Sequence, residues 1–265
     1  MSDAPVLASG PGPIRRITMN RPEARNAMSA EMRAAMVRAL GDAAADPACR
    51  VVVIDGAGAD FSAGADLDEL SRSRETDDAI DYVKTFEDIL RAVEDQPQPV
   101  IAEVGGAALG AGCLLVLACD LAVAAAEARL GIPSARLGLV VNYESVERLV
   151  AAVGLKRASD LLEAGHEIGG KEAAEWGLVN RAVPAAGLRD AVDMLARRVA
   201  GRAPLSVKAS KRGIRGAARR VAAGSSEAYP LGDFDMMAAE AFASQDLSEG
   251  MAALRERRRP EFEGR

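Results

Sequence analysis

Histidine is nearly absent from this chain: of 265 residues only His166 is one. A Ser-His-Asp triad and a multi-histidine metal site are thereby all but excluded. Cysteine is scarce too. Cys49, Cys113 and Cys119 form no CxxC pair and have no histidine nearby in sequence, as expected of buried thiols in a reducing compartment. Aromatic residues make up 3%, so the core must be built mainly from Ala, Val, Leu, Ile and Met. Positive charge is in deficit, and the net charge of -6 argues against nucleic acid as a partner. The segment up to Arg15 has no apolar h-region, so no targeting segment is expected. The uncharged stretch from Val104 to Cys119 falls short of the ~20 residues of a bilayer span and contains Gly105, Gly106, Gly110 and Gly112. A buried core segment in a cytoplasmic protein that makes no membrane contact is expected instead. The phosphate-loop patterns GxxxxGK[ST] and GxGxxG are missing as well.

What is present suits one large α/β domain with an appendage: 49% of residues are apolar and 27% charged. Residues up to about Pro13 read as loop, followed by a strand from Ile14 to Asn20. Ser29 reads as the N-cap of a helix with Glu31 in its first turn and Met32, Met36, Val37 and Leu40 at helical spacing. Val51–Ile54, Val100–Val104 and Leu121–Val123 read as strands, the first two as buried parallel ones. Between them, Thr76 caps a helix whose apolar face is Ile80, Val83, Phe86, Leu90 and Val93. A short apolar helix is expected around Leu109 to Ala118. From Tyr143 onward the pattern is mostly helical, with a last extended piece at Gly177–Asn180. The strand–loop–helix rhythm predicts parallel strands joined by crossovers, then a C-terminal helical appendage.

Two segments point to chemistry. Phe61-Ser62-Ala63-Gly64-Ala65-Asp66 follows one buried strand, and Gly105–Cys113 follows another and opens a helix. Gly64 lets the backbone turn closely, and the N–H groups that begin a helix lack intrahelical acceptors and favour negative charge. Two such segments can converge on one developing oxyanion. Taken singly, each reads rather as a strand end where glycines permit close packing.

Ile17–Pro22, Asn26–Met28, Phe61–Leu67, Ala108–Cys113, Ala118–Asp120, Glu172–Asn180 and Glu249–Met251 together resemble the crotonase superfamily, the enoyl-CoA hydratase/isomerase family, in order and over nearly the whole chain. The resemblance implies an α/β fold: a crotonase-like spiral of ββα units over residues 1–190 and a C-terminal helical oligomerisation region over 191–265. It implies a homotrimer or a dimer of trimers, an acyl-CoA thioester as substrate and no required cofactor. It places the oxyanion-hole N–H groups on Ala65 and Ala111, where family members often carry glycine at the second position. It places the adenine side of CoA along the backbone near Ala24 and Ala63 to Leu67, including Asp66, makes Arg25 a phosphate contact, and has Arg257 reach a CoA phosphate of its own or a neighbouring subunit. Arg25 reads equally as a solvated surface charge.

The pattern then departs from its family. The two glutamates that hydratases use as acid and base fall here on Leu114 and Ser134. Leu114 cannot carry a proton, and a serine hydroxyl without an activating neighbour is a poor base. Ser134 is left to order water or substrate, or simply to bond local backbone. A later catalytic aspartate found in some relatives falls on Asn142, which also suits an N-cap before Tyr143 and Glu144. Tyr143 and Glu144 stand as displaced acid/base candidates, although a glutamate in a first turn also just complements the helix dipole. The expectation is an acyl-CoA enzyme of hydratase/isomerase type with a non-standard acid/base set. The alternatives are a non-catalytic acyl-CoA-binding oligomer and a thioester hydrolase.

Overall fold

In the computed structural model, which describes residues 4–72, 76–222 and 231–265, the apolar runs become the central strands. The strands are β1 (Val6–Ala8), β2 (Ile14–Met19), β3 (Val51–Gly56), β4 (Val100–Val104), β5 (Ala107–Leu109), β6 (Leu121–Ala125), β7 (Arg129–Gly131), β8 (Glu167–Gly169) and β9 (Arg181–Val183). The helices are α1 (Ala30–Ala45), α2 (Leu67–Arg72), α3 (Thr76–Glu94), α4 (Ala111–Ala118), α5 (Tyr143–Val153), α6 (Leu155–Leu162), α7 (Gly170–Trp176), α8 (Leu188–Ala200), α9 (Pro204–Ala222), α10 (Leu231–Ala243) and α11 (Gln245–Glu256).

The larger sheet has the order β1-β2-β3-β4-β6-β9. From β2 to β9 it is parallel, and β1 closes one edge antiparallel to β2. Val51–Ile54 and all of β4 are buried, which explains their unbroken apolar runs. A smaller sheet, β5-β7-β8, stands beside it. The chain lays one strand in the large sheet, one in the small sheet and then a helix: β4-β5-α4, then β6-β7 and on to α5. That alternation is the expected spiral of ββα units.

Helix α1 begins where Ser29 was expected to cap it: the Ser29 hydroxyl accepts the Met32 N–H at 3.3 Å. Met32, Met36 and Leu40 are buried, each stabilising by about 1.5–3 kcal/mol. Val37 is not on that face and stays exposed. In α3, Leu90 and Val93 are buried and Phe86 packs partly against the core. Thr76, Ile80 and Val83 lie outside the residues whose side chains are described. The stretch from Val104 to Cys119 ends β4 and forms β5 and α4, and no helix among the described residues is long and apolar enough to cross a membrane.

Two expectations need correction. Residues before Pro13 are not all loop, because Val6–Ala8 pairs with Ile17–Met19. The last extended piece is β9, not Gly177–Asn180. Leu178 and Val179 are apolar because the turn after α7 tucks them into the core. The small sheet went unread because its strands are three residues each, too short for any periodicity to register. Residue 190, the expected domain limit, falls inside α8, whose Leu188, Ala191, Val192 and Leu195 belong to the core packed on the sheet. Charges also anchor α8 to the sheet. Arg16 on β2 binds Asp55 on β3 (2.6 Å), Glu103 on β4 (2.8 Å) and Asp193 on α8 (3.0 Å).

Candidate active site

The two glycine segments meet through their backbones. The Ser62 N–H donates to Ala107 O (2.9 Å), and the Leu109 N–H donates to Ser62 O (3.0 Å), so Ser62 joins β5 as a one-residue strand. A Cβ on Gly64 would lie 2.6 Å from Leu109 O and 3.3 Å from Ala111 N. Gly64 also has φ +103°, which side chains rarely adopt. A Cβ on Gly112 would lie 2.6 Å from Ser62 O. Glycine is needed at both positions because backbone from the other segment occupies the space. The residue before Ala65 therefore abuts Ala111.

The peptide orientations follow from the hydrogen bonds. Gly64 O accepts the Met28 N–H at 2.8 Å. In a trans peptide the N–H points opposite to the C=O, so the Ala65 N–H faces away from Met28. Gly110 O accepts the first helical bond, from Leu114 N at 3.1 Å. The Ala111 N–H points out of the start of α4, where no intrahelical carbonyl can reach it. Among the described residues, neither N–H has an acceptor within the chain.

The first segment is braced from below by Asn26, which is fully buried. Its carboxamide donates to Ala57 O (2.9 Å) and Asp60 O (2.8 Å) and accepts the Arg21 N–H (3.0 Å). Ala24 ends a short 3-10 turn, and Arg25 follows with φ 51° and a carbonyl that accepts the Ala63 N–H at 2.9 Å. Arg25 Nε donates to Asp60 Oδ2 at 2.6 Å, and Asp60 Oδ1 accepts the Ala107 N–H at 2.7 Å. The Arg25 hydrogen bond holds the Asp60 carboxyl below the usual carboxylate range. Asp66 is likewise held low by Arg21, at 2.9 Å, and its Oδ1 accepts the Asp68 and Glu69 N–H groups that begin α2. Leu67 is exposed. The Ala24–Met28 turn is thus joined to the first segment by two backbone bonds, Ala63 N–H to Arg25 O and Met28 N–H to Gly64 O.

Leu114 lies one turn along α4 from Ala111 and is buried. Ser134 begins a 3-10 turn after Pro133. Gly131 O accepts the Gly110 N–H at 2.9 Å, which sets the 131–134 segment against the start of α4. Gly131, three residues before Ser134, is thus held at the start of the helix that carries Leu114.

The remaining expected residues stand elsewhere. Asn142 caps α5: its Oδ1 accepts the Ser145 N–H (3.1 Å) and its Nδ2 donates to Glu87 Oε2 (2.7 Å). Both ends of the amide are committed to structure. Tyr143 is 72% exposed. Glu144 lies 3.6 Å from Arg91 and lines a cavity of about 1430 Å³ bounded by α3, α5, α9 and α11. No residue of 61–67, 109–114 or 131–134 lines that cavity. The Glu144 carboxylate, at the second position of α5, thus reaches toward α3. Arg257 terminates α11 with φ 55° and is exposed. His166 is exposed and bonded to Asp160 at 2.7 Å. Burial pushes the Cys113 and Cys119 thiols up to about 12.

Sequence reading overlooked Asp60 and the buried cluster of Glu87, Glu94 and Arg148. Only the i, i+4 and i+7 spacing of Glu87, Arg91 and Glu94 hinted at the cluster, and that spacing also describes a solvated helix face.

Comparison with known proteins agrees with this architecture. The family model for enoyl-CoA hydratase/isomerase matches residues 10–265. The chain is 35% identical to the 2,3-dehydroadipyl-CoA hydratase of Escherichia coli over 94% of both chains. It is 31% identical to the short-chain-enoyl-CoA hydratase of Clostridium acetobutylicum, over 97% of this chain and 96% of that one. The crystal structure of an enoyl-CoA hydratase from Bacillus anthracis superposes with a TM-score of 0.88 at 29% identity, over 98% of this chain and 100% of that one. One from Magnetospirillum magneticum, an enoyl-CoA hydratase/carnithine racemase, superposes with a TM-score of 0.92 at 29% identity, covering 100% of this chain and 97% of that one. With sequence and fold matching from end to end, this chain belongs to the enoyl-CoA hydratase/isomerase family of enzymes, within the crotonase superfamily.

Proposed function

We propose that the N–H groups of Ala65 and Ala111 form an oxyanion hole for the thioester carbonyl of an acyl-CoA. The observation that supports this reading is the backbone contact of Gly64, the residue before Ala65, with Leu109–Ala111. Polarising a thioester carbonyl makes an enolate or a tetrahedral oxyanion accessible, and each aimed donor in a dry site contributes about 2.7–4 kcal/mol in the transition state. This step is common to hydration, double-bond migration and hydrolysis.

The acid/base groups would choose among these reactions. With Leu114 and Ser134 in place of carboxylates, two-glutamate hydration is not the mechanism proposed. Ser134 remains beside the helix start as a group able to order a water or the substrate. Asn142, Tyr143 and Glu144 are less well supported, because Asn142 is committed as a cap and Glu144 faces another cavity. The second reading, an acyl-CoA-binding oligomer without turnover, is favoured by the same two substitutions. In either case the C-terminal helices, including the segment that carries Arg257, are proposed to mediate a homotrimer or a dimer of trimers.

The test is a panel of enoyl-, 3-hydroxyacyl- and aryl-CoA thioesters incubated with pure protein. Consumption of at least one without release of CoA thiol is expected. Thiol release would identify a hydrolase. Saturable binding with no turnover of any member would support the binding oligomer and overturn the enzyme reading.

Arg25 is proposed to hold a CoA phosphate while Asp60 fixes its Nε and leaves the rest of the guanidinium facing outward. Arg25→Gln is expected to weaken CoA binding about tenfold in low salt, with a smaller effect in high salt. Calorimetric titration checks this, and an unchanged dissociation constant would return Arg25 to the role of a surface charge paired with Asp60.

A further inference from the structure

The proposed hole is made of main chain, so its aim depends on whatever fixes the backbone around Gly64. Ser62 is the buried side chain in position to do this, with no exposed surface. Its hydroxyl donates to Asn26 O at 2.8 Å and accepts the Gly64 N–H at 3.1 Å. Its own backbone pairs with Ala107 and Leu109, and Gly112 of α4 packs against its carbonyl and Cβ. One residue thus touches the Asn26 loop, the first glycine segment and both elements of the second.

The geometry around Gly64 makes the hydroxyl consequential. The peptide after Gly64 is held by the Met28 N–H on Gly64 O, and the peptide before it by Ser62 Oγ on Gly64 N. Between these two anchors lies a residue with no Cβ to restrict it. Without Oγ, the Gly64 N–H and the Asn26 carbonyl both lose their partner inside the protein. Gly64 is then held on one side only, by the Met28 N–H on its carbonyl, and the peptide that carries the Ala65 N–H can tilt about that single bond.

We propose that Ser62 is a positioning residue whose hydroxyl, by tying the Gly64 N–H to the Asn26 carbonyl, fixes the direction of the Ala65 N–H toward the thioester oxygen. The proposal rests on the reading of Ala65 and Ala111 as the oxyanion hole.

The experiment uses butanoyl-CoA labelled with carbon-13 at the thioester carbonyl, followed by infrared difference spectroscopy on the full chain. In the parent protein the carbonyl band is expected to move to lower frequency on binding. In Ser62→Ala roughly half or more of that shift should be lost, while the dissociation constant stays within about twofold, because the CoA contacts are untouched. A parent-sized shift in Ser62→Ala would overturn the role of Ser62 and leave the hole standing. No shift in the parent would overturn the hole, and the role of Ser62 with it. Should Ser62→Ala fail to fold by circular dichroism, Ser62→Cys decides. Its thiol is a weak donor and a weak acceptor, so a reduced shift supports the proposal and a full shift overturns it.

Discussion

Replacing Ala111 by proline is expected to lower turnover of the best thioester by about 10²–10³-fold while leaving the protein folded. Proline deletes one N–H, and Ala111 is the first residue of α4, the helical position where that N–H bonds to no carbonyl and where proline's fixed φ is already suited. The residue before a proline is usually constrained by its own Cβ, but here it is Gly110, which has none. The ring also occupies the space into which the N–H pointed, so the lost donor cannot be replaced by water. Ala111→Gly keeps the N–H and is the matched control, expected to retain turnover. Steady-state rates with a thermal melt of each variant check the prediction. A folded Ala111→Pro protein with parental kcat would remove Ala111 from the chemistry.

How much of this was open to reading depended on the range of the interactions. Strands β3 and β4 announced themselves because burial on both faces demands unbroken apolar runs at Val51–Ile54 and Val100–Val104. The Ser29 cap was legible because it bonds three residues ahead. The glycine segments were legible as backbone devices, and the family resemblance attached them to a thioester. What escaped were features made by pairing distant pieces. Strands β5, β7 and β8 exist because they pair with one another and with Ser62, not because three residues have any pattern. Asp60 looks like an ordinary loop aspartate until Arg25 and the Ala107 N–H are brought to its two oxygens. Glu144 was drawn toward the site by its place in the sequence. In the fold its carboxylate lies near Arg91 of α3, a neighbour that no local pattern announces.

Arg148→Met is expected to destabilise the fold by about 3–5 kcal/mol near neutral pH, the range for removing one member of a buried ion pair. Arg148 on α5 reaches two carboxylates of α3. Its Nη2 lies 2.6 Å from Glu87 Oε1, and its Nε lies 2.9 Å from Glu94 Oε1. All three side chains are largely buried. Burial alone would push both glutamates up, but hydrogen bonds from Arg148, aided at Glu87 by Asn142 and at Glu94 by the charges of Arg215 and Arg219, hold them below the ordinary value of 4.5. Carboxylates with depressed folded-state values add stability above their unfolded value and lose it as pH falls through the folded one. Methionine fills a similar volume but leaves two buried negative charges short of a partner, which favours proton uptake. The gap between parent and variant should therefore be widest at about pH 7 and smaller at about pH 4, where the variant's glutamates take up protons that the parent's still resist. Adding Glu87→Gln to Arg148→Met should restore part of the loss by removing a buried charge left with only Arg91 and Asn142 as partners. Urea unfolding of the single and double variants at both pH values checks this. A loss below about 1 kcal/mol that does not change with pH would mean the cluster behaves as a surface ion pair and does not fasten α5 to α3.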